Sequence, residues 1–357
     1  MSPTDQVRTK PAAQLDSRML AGGVDFLDYL ELQDRCVRGG EDWVHVSEEI
    51  GDRHHTYAQQ ELAKGRRETA RYFFFTAQAV YRVGQYGLVE VTEERLRIYH
   101  KLDDSFHAFA ELCDPPLEKV EIPYKDYRME GWLIRPKEAT DSTPVVLMLP
   151  GATGFKEEFM LQAQNMVDRG LSVLLMDGPG QGTTLYFNKG YLEVDIEEAY
   201  AKMVDFLERD ERFGAVGIIG GSTGGYYVAR AAAVDDRIKA CVWNSGSYYP
   251  QEIRDFAPVY EHKFALLFGV RDEEMKDIWP RMTLKGYAER IECPLLIVHS
   301  ESDPIFSLKG AQRAYDEAKS PDKELRIYPG TGHCQAGAES EAFRYMADWI
   351  TERLNRA

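Results

Sequence analysis

Apolar and polar positions follow two different rhythms on either side of Asp114-Pro115-Pro116. Upstream, from about Val24 to Leu112, the spacing is helical. The stretch Glu68 to Tyr81 is rich in apolar residues and has no Gly or Pro, so it predicts a largely buried helix. A further helix is expected after Thr92, a suitable N-cap followed by Glu93 and Glu94 in the first turn. Downstream, Val120 to Tyr124 and Met129 to Arg135 read as short strands forming an antiparallel pair. Six apolar runs then alternate with helical segments: Val145–Leu149, Ser172–Met176, Val216–Ile219, Ala240–Trp243, Leu295–Val298 and Leu325–Tyr328. Continuous apolar strands separated by helices predict an α/β architecture with a mostly parallel sheet covered on both faces. Such sheets carry their chemistry at the carboxyl ends of the strands. The organisation expected is a disordered leader over 1–20, an N-terminal helical cap domain over 21–115, and an α/β core over 116–357. A lid insertion is expected at about 246–290. No internal repeat of 20 to 50 residues is visible.

Length and charge narrow the function. The 357 residues suit two domains, or one large domain with an addition. Lys plus Arg is 43 against 59 for Asp plus Glu, a formal net charge of -16. So acidic a surface repels phosphate backbones and anionic lipid, which argues against nucleic-acid and membrane partners. The five cysteines are widely spaced with no CxxC pair, which suggests neither a disulfide framework nor a zinc site. Reduced thiols in a cytoplasmic protein are the expectation. The polar start MSPTDQVRTKPAAQ lacks the apolar core of a secretory signal, and no run of 18 apolar residues occurs. Gly178 to Gly182 lacks the spacing of a nucleotide-binding loop, so no organic cofactor and no metal is implied.

The chemistry concentrates at three strand ends. Gly220-Gly221-Ser222-Thr223-Gly224 fits G-x-S-x-G where an apolar strand gives way to a helix expected from Tyr226 to Ala233, the setting of a nucleophile elbow. A serine hydroxyl needs a base to attack at neutral pH. Of eight histidines, His333 is the candidate, because it follows the last strand in a loop with two glycines. The remaining ones lie in the helical N-terminal part or the lid, or, for His299, end a strand as a packed core residue. The imidazole needs a carboxylate to orient it. Asp303 is favoured because Pro304 closes its loop, with Glu301 as competitor. For the oxyanion, the backbone N–H of Thr223 and one from the Pro150–Gly154 loop are expected, Ala152 before Thr153. Phe155, Tyr226 and Tyr248 are candidates for lining a substrate pocket. The order Ser222, Asp303, His333 along the chain is that of α/β-hydrolases.

These residues resemble one group within that fold. It contains 2,6-dihydroxypseudooxynicotine hydrolase, the fungal hydrolases that shorten polyketides, and the fermentation-respiration switch protein. The resemblance is carried by Asp177-Gly-Pro-Gly-Gln-Gly182, by the elbow with its double glycine at Gly224 and Gly225, and by a helical segment containing Ala70-Arg-Tyr-Phe ahead of the core. It runs from about residue 25 to the end. It implies an α/β-hydrolase fold and hydrolysis of a C–C bond beside a ketone, through a serine nucleophile, in a small aromatic or polyketide-like substrate. A carboxylesterase, a thioesterase or an acyl-transfer cyclase using the same acyl-enzyme are the alternatives. It also implies a homodimer and an additional acid near Glu252. A non-enzymatic binding protein on the same fold would be expected to have lost one of Ser222, Asp303 or His333, and all three are present.

Overall fold

The computed structural model describes residues 15–357 and divides into two compact units, one ending at Glu118 and the other running from Lys119 to Ala357. Residues 1–14 of the expected leader lie outside the described residues. Its last six positions do not match the expectation. They belong to the helix Leu15–Ala21, because Met19 is buried in a cluster with Leu32, Trp43, Val80 and Val83.

The first unit is helical. Trp43–Ala63 and Arg67–Gly84 form its centre, and the second of these contains the whole stretch expected to be a buried helix. The two approach closely: a Cβ on Gly51 would enter the Tyr81 ring, 2.4 Å from its nearest carbon. Trp43 Nε1 donates to the Val83 carbonyl at 2.9 Å. The helix Glu93–Leu112 starts at the expected cap, with Thr92 accepting the Arg95 N–H.

The second unit is built on an eight-stranded sheet. Its strands are β1 (Glu118–Tyr124), β2 (Tyr127–Ile134), β3 (Thr143–Leu149), β4 (Ser172–Asp177), β5 (Phe213–Gly221), β6 (Ile238–Asn244), β7 (Leu295–Ser300) and β8 (Lys323–Tyr328). The order across the sheet is β1-β2-β4-β3-β5-β6-β7-β8. β2 runs antiparallel to β4, and the pairs from β4 to β8 are parallel. Each apolar run seen in the sequence is a strand, extended by one to three residues at one or both ends in most cases. The added positions at the carboxyl ends are polar or glycine (Asp177, Gly220 and Gly221, Asn244, His299 and Ser300), and they carry no apolar signal. After β3 the chain moves one strand outward to β4, then returns across β3 to β5. The switch point therefore lies between β3 and β5, the place where open α/β sheets form a crevice at the carboxyl ends.

Between β6 and β7 lies the expected insertion, a series of short helices including Glu252–Phe256, Val259–Phe268 and Met275–Ile278. It is packed rather than loose. Phe264 and Trp279 are buried with ring centroids 4.7 Å apart, and both belong to the core of the unit. Its two roots meet where Leu284 N donates to Tyr248 O.

Candidate functional site

The elbow is defined by backbone geometry. β5 ends at Gly221, the helix Thr223–Ala232 begins at once, and Ser222 between them has φ 58° and ψ −132°. A non-glycine residue there is strained by about 1–3 kcal/mol, and the surroundings must enforce it. They do so by close packing. A Cβ on Gly220 would lie 2.4 Å from Gly224 O, and one on Gly224 would lie 2.6 Å from Pro150 O. The helix starts three residues earlier than its apolar pattern suggests, because Gly224 is needed for this contact and Gly225 for close approach to Trp243 and Gly246, and neither adds to the apolar pattern.

Three side chains then form one chain of hydrogen bonds. His333 Nε2 is 2.8 Å from Ser222 Oγ, and His333 Nδ1 is 2.8 Å from Asp303 Oδ2. The other Asp303 oxygen accepts the N–H groups of Ile305 and Phe306 at 2.9 and 3.1 Å. One carboxylate oxygen is thus fixed by the backbone and the second is left for the imidazole. Burial raises the Asp303 pKa, but the bond and charge of His333, with the two N–H groups, outweigh it and hold the carboxyl below its usual range. Glu301, two residues earlier, is exposed. Asp303→Asn should therefore lower kcat by roughly 10,000-fold by presenting the wrong partner to the imidazole. Glu301→Gln should stay within about twofold. Steady-state kinetics of both variants check this, and a larger loss in Glu301→Gln would reverse the assignment.

The histidine loop is pinned by residues that the sequence does not advertise. Ser300 Oγ donates to Gly332 O at 2.5 Å and accepts Gln335 N–H at 3.3 Å. Ser245 Oγ accepts Cys334 N–H at 3.2 Å and Gln335 Nε2–H at 2.9 Å. Cys334 and Gln335 are held at φ 55° and 58°. The only signal in the sequence is position: Ser245 directly follows β6 and Ser300 ends β7. The ladder between strands also continues past their ends. Ser222 N donates to Asn244 O at 2.9 Å, Ser245 N to Val298 O at 2.7 Å, and Glu301 N to Tyr328 O at 2.9 Å.

Burial pushes the His333 imidazole pKa down, while Cys334 and the Asp303 carboxylate pull it up, and the upward pull wins. Nearby His299 is buried and held down in pKa, with Nε2 at 3.1 Å from Phe306 O. A base must be unprotonated to act, so kcat/KM should rise with pH on a limb lying above about 6.5, the ordinary imidazole value. A pH–rate profile already flat at pH 6 would contradict this.

The oxyanion donors expected from sequence flank the serine. Thr223 N–H is the first of its helix and has no intrahelical carbonyl to bond. Across the crevice, a Cβ on Gly151 would lie 3.0 Å from Ser222 Cβ and 3.5 Å from Ser222 Oγ, which places the peptide leading into Ala152 against the serine.

Four other expected residues sit elsewhere. Glu252 does not meet Ser222 or His333. Its carboxylate accepts Ser307 N–H and Ser307 Oγ–H, each at 2.9 Å, which ties the insertion to the loop after Asp303. Phe155, Tyr226 and Tyr248 are 2%, 1% and 0% exposed, so none faces a water-sized space, and the expectation that they line a pocket is corrected to packing. Tyr226 OH accepts from Arg230, Tyr248 OH donates to Glu317, and Phe155 packs against Tyr186. Tyr226 and Tyr248 belong to the core cluster of the unit.

The Asp177–Gly182 string forms the turn after β4, beside the same crevice. Asp177 Oδ1 accepts Lys156 N–H at 3.0 Å. Asp177 Oδ2 accepts Lys156 Nζ at 2.9 Å and Thr183 N–H at 3.0 Å. Lys156 Nζ also donates to Thr183 Oγ1 at 2.6 Å and lies 2.7 Å from Glu157 Oε1. Gly182, at φ 36°, leaves no room for a side chain, since a Cβ would lie 2.0 Å from Asp177 Oδ2.

Among the described residues no group of three or more His, Cys, Asp or Glu is placed to hold a metal ion, and no helix is long and apolar enough to cross a membrane. Comparison with known proteins agrees with the fold. The chain is 24% identical to 2,6-dihydropseudooxynicotine hydrolase of Paenarthrobacter nicotinovorans, over 99% of this chain and 95% of that protein. It is 32% identical to an α/β-hydrolase of Acremonium over 246 residues, 62% of this chain, and spans about half of that relative's length (50%). The crystal structure of 2,6-dihydroxy-pseudo-oxynicotine hydrolase superposes with a TM-score of 0.86 at 23% identity, covering 95% of each chain. The pseudooxynicotine hydrolase is one of the relatives that the sequence resemblance names. The model of the prolyl oligopeptidase family matches residues 157–357, more than half of the chain, and the protein belongs to that family of serine hydrolases with an α/β-hydrolase fold.

Proposed function

We propose that this protein hydrolyses a C–C bond beside a ketone in a small aromatic or polyketide-like molecule, through an acyl-enzyme on Ser222. The observation that carries the reading is the bonded chain Ser222–His333–Asp303 on a strained elbow. The preference for a small molecule rests on the alignment, over almost the whole chain, with a relative whose name gives a small-molecule substrate.

Ser222 Oγ attacks the carbonyl as His333 Nε2 takes its proton, and the oxyanion is held by the N–H groups of Thr223 and Ala152. Collapse breaks the C–C bond, and the electron pair leaves with the departing carbon as a resonance-stabilised carbanion. The imidazolium protonates that carbon. A water, deprotonated by the same imidazole, then releases the acyl group as a carboxylic acid and restores Ser222. Asp303 keeps Nδ1–H pointed away from the serine and offsets the imidazolium charge.

The test is a mass-spectrometric turnover assay on two panels, aryl or acyl ketones with 1,3- or 1,5-dicarbonyl character and simple p-nitrophenyl esters. Serine-dependent conversion of a ketone into an acid and a shortened ketone supports C–C hydrolysis. Cleavage of esters alone assigns a carboxylesterase instead.

A further inference from the structure

The geometry points to Gln181 as a positioning residue for the oxyanion donors, and so gives the Asp177–Gly182 string a part in catalysis. This deepens the serine-hydrolase reading and rests on it. Gln181 is 2% exposed and both ends of its side-chain amide are bonded. Oε1 accepts Gly178 N–H at 2.8 Å, within its own turn. Nε2 reaches across to the loop after β3, donating to Pro150 O at 2.6 Å and to Gly151 O at 3.2 Å.

Those two carbonyls belong to the peptides that matter. A peptide unit is planar and trans, so a carbonyl held on one side turns the N–H of the same unit to the other. The bond to Gly151 O therefore turns the Ala152 N–H away from Gln181, and the bond to Pro150 O does the same for Gly151 N–H. Gly151 also rests on Ser222, and Pro150 O lies against Gly224 of the elbow helix. The loop is thus gripped between the elbow and one amide, and its following N–H groups have a fixed direction. Fixed donors stabilise a developing oxyanion because they need no reorganisation during reaction. The rest of the string places that amide: Asp177 is braced by Lys156 and Thr183, and Gly182 makes the turn tight enough for Gln181 to face β3.

The experiment compares wild type with Gln181→Glu and Gln181→Met. Both keep the length of the side chain, and each removes the donor to Pro150 O and Gly151 O. If the glutamate variant fails to fold, the methionine variant still reports. Two readouts are taken: the second-order rate of fluorophosphonate labelling at Ser222, and kcat and KM on p-nitrophenyl butyrate. Loss of a single oxyanion donor costs about 100- to 1,000-fold, so loosening one should slow labelling and kcat by about 10- to 100-fold. KM should stay within about twofold, even where the thermal midpoint falls because the buried carbonyls lose their donor. Wild-type labelling rates in both variants would overturn the inference. So would a loss in which KM rises along with a falling thermal midpoint, since that reports a damaged fold. A wild-type protein that is not labelled at Ser222 sinks the serine-hydrolase reading itself, and this inference with it.

Discussion

Ser222→Ala is expected to keep the fold and lose turnover by a factor of roughly 10,000 to 1,000,000, leaving only what the oxyanion donors and substrate binding supply. The loss should fall on kcat, with substrate binding retained, because alanine removes the nucleophile and little else. Stability offers an independent check on the elbow. Alanine at position 222 inherits the φ of 58° that serine carries, so Ser222→Ala should unfold near the wild-type midpoint. Glycine has no such penalty, and Ser222→Gly should be more stable than Ser222→Ala by about 1 kcal/mol, allowing for glycine's extra freedom in the unfolded chain. Turnover assays and denaturant melts of the two variants measure both effects. An alanine variant that keeps more than a tenth of wild-type turnover would rule out the covalent route.

Lys156→Met is expected to be the most destabilising single change in the site region, at about 3–5 kcal/mol. Lys156 is 2% exposed, and its ammonium lies between the Asp177 and Glu157 carboxylates, both 0% exposed. Methionine fills similar space but leaves two buried acids with no cation between them. Urea unfolding of the variant beside wild type measures this. A deficit below about 1 kcal/mol would mean that the cluster contributes little.

How much of this was legible in the sequence depended on whether the information lay along the chain or across the sheet. Five of the six parallel strands were legible because a strand buried on both faces must be apolar throughout, whereas β8 at the sheet edge is half-buried and mixes Lys, Glu and Arg with its apolar residues. Ser222, Asp303 and His333 were legible because each sits where such a run ends, and the structure brings the three together. What holds them was not. Ser245 and Ser300 look like ordinary strand-end serines, and their role exists only once β6, β7 and the loop after β8 are neighbours. Glu252 was singled out, but its partner Ser307 lies 55 residues away and on another element. Tyr226 lies in the elbow helix and Tyr248 follows β6, and a place near the carboxyl end of a strand does not say whether a ring lines a cleft or packs in the core. The expected leader extends too far because Met19 and Leu20 close a mostly polar stretch, and the burial of Met19 depends on Trp43 and Val83.

The rungs that continue beyond the strand ends turn the sheet into a ruler. Ser222 comes from β5, Asp303 follows β7 and His333 follows β8, and the main-chain bonds Ser222–Asn244, Ser245–Val298 and Glu301–Tyr328 fix the lateral steps between them. The spacing of the reacting groups is therefore set by the interval between neighbouring strands, with loop shape supplying only the last adjustment. Catalytic alignment and the central sheet share one melting event: heating should inactivate the protein when the sheet parts, with no lower temperature at which the site alone has come apart.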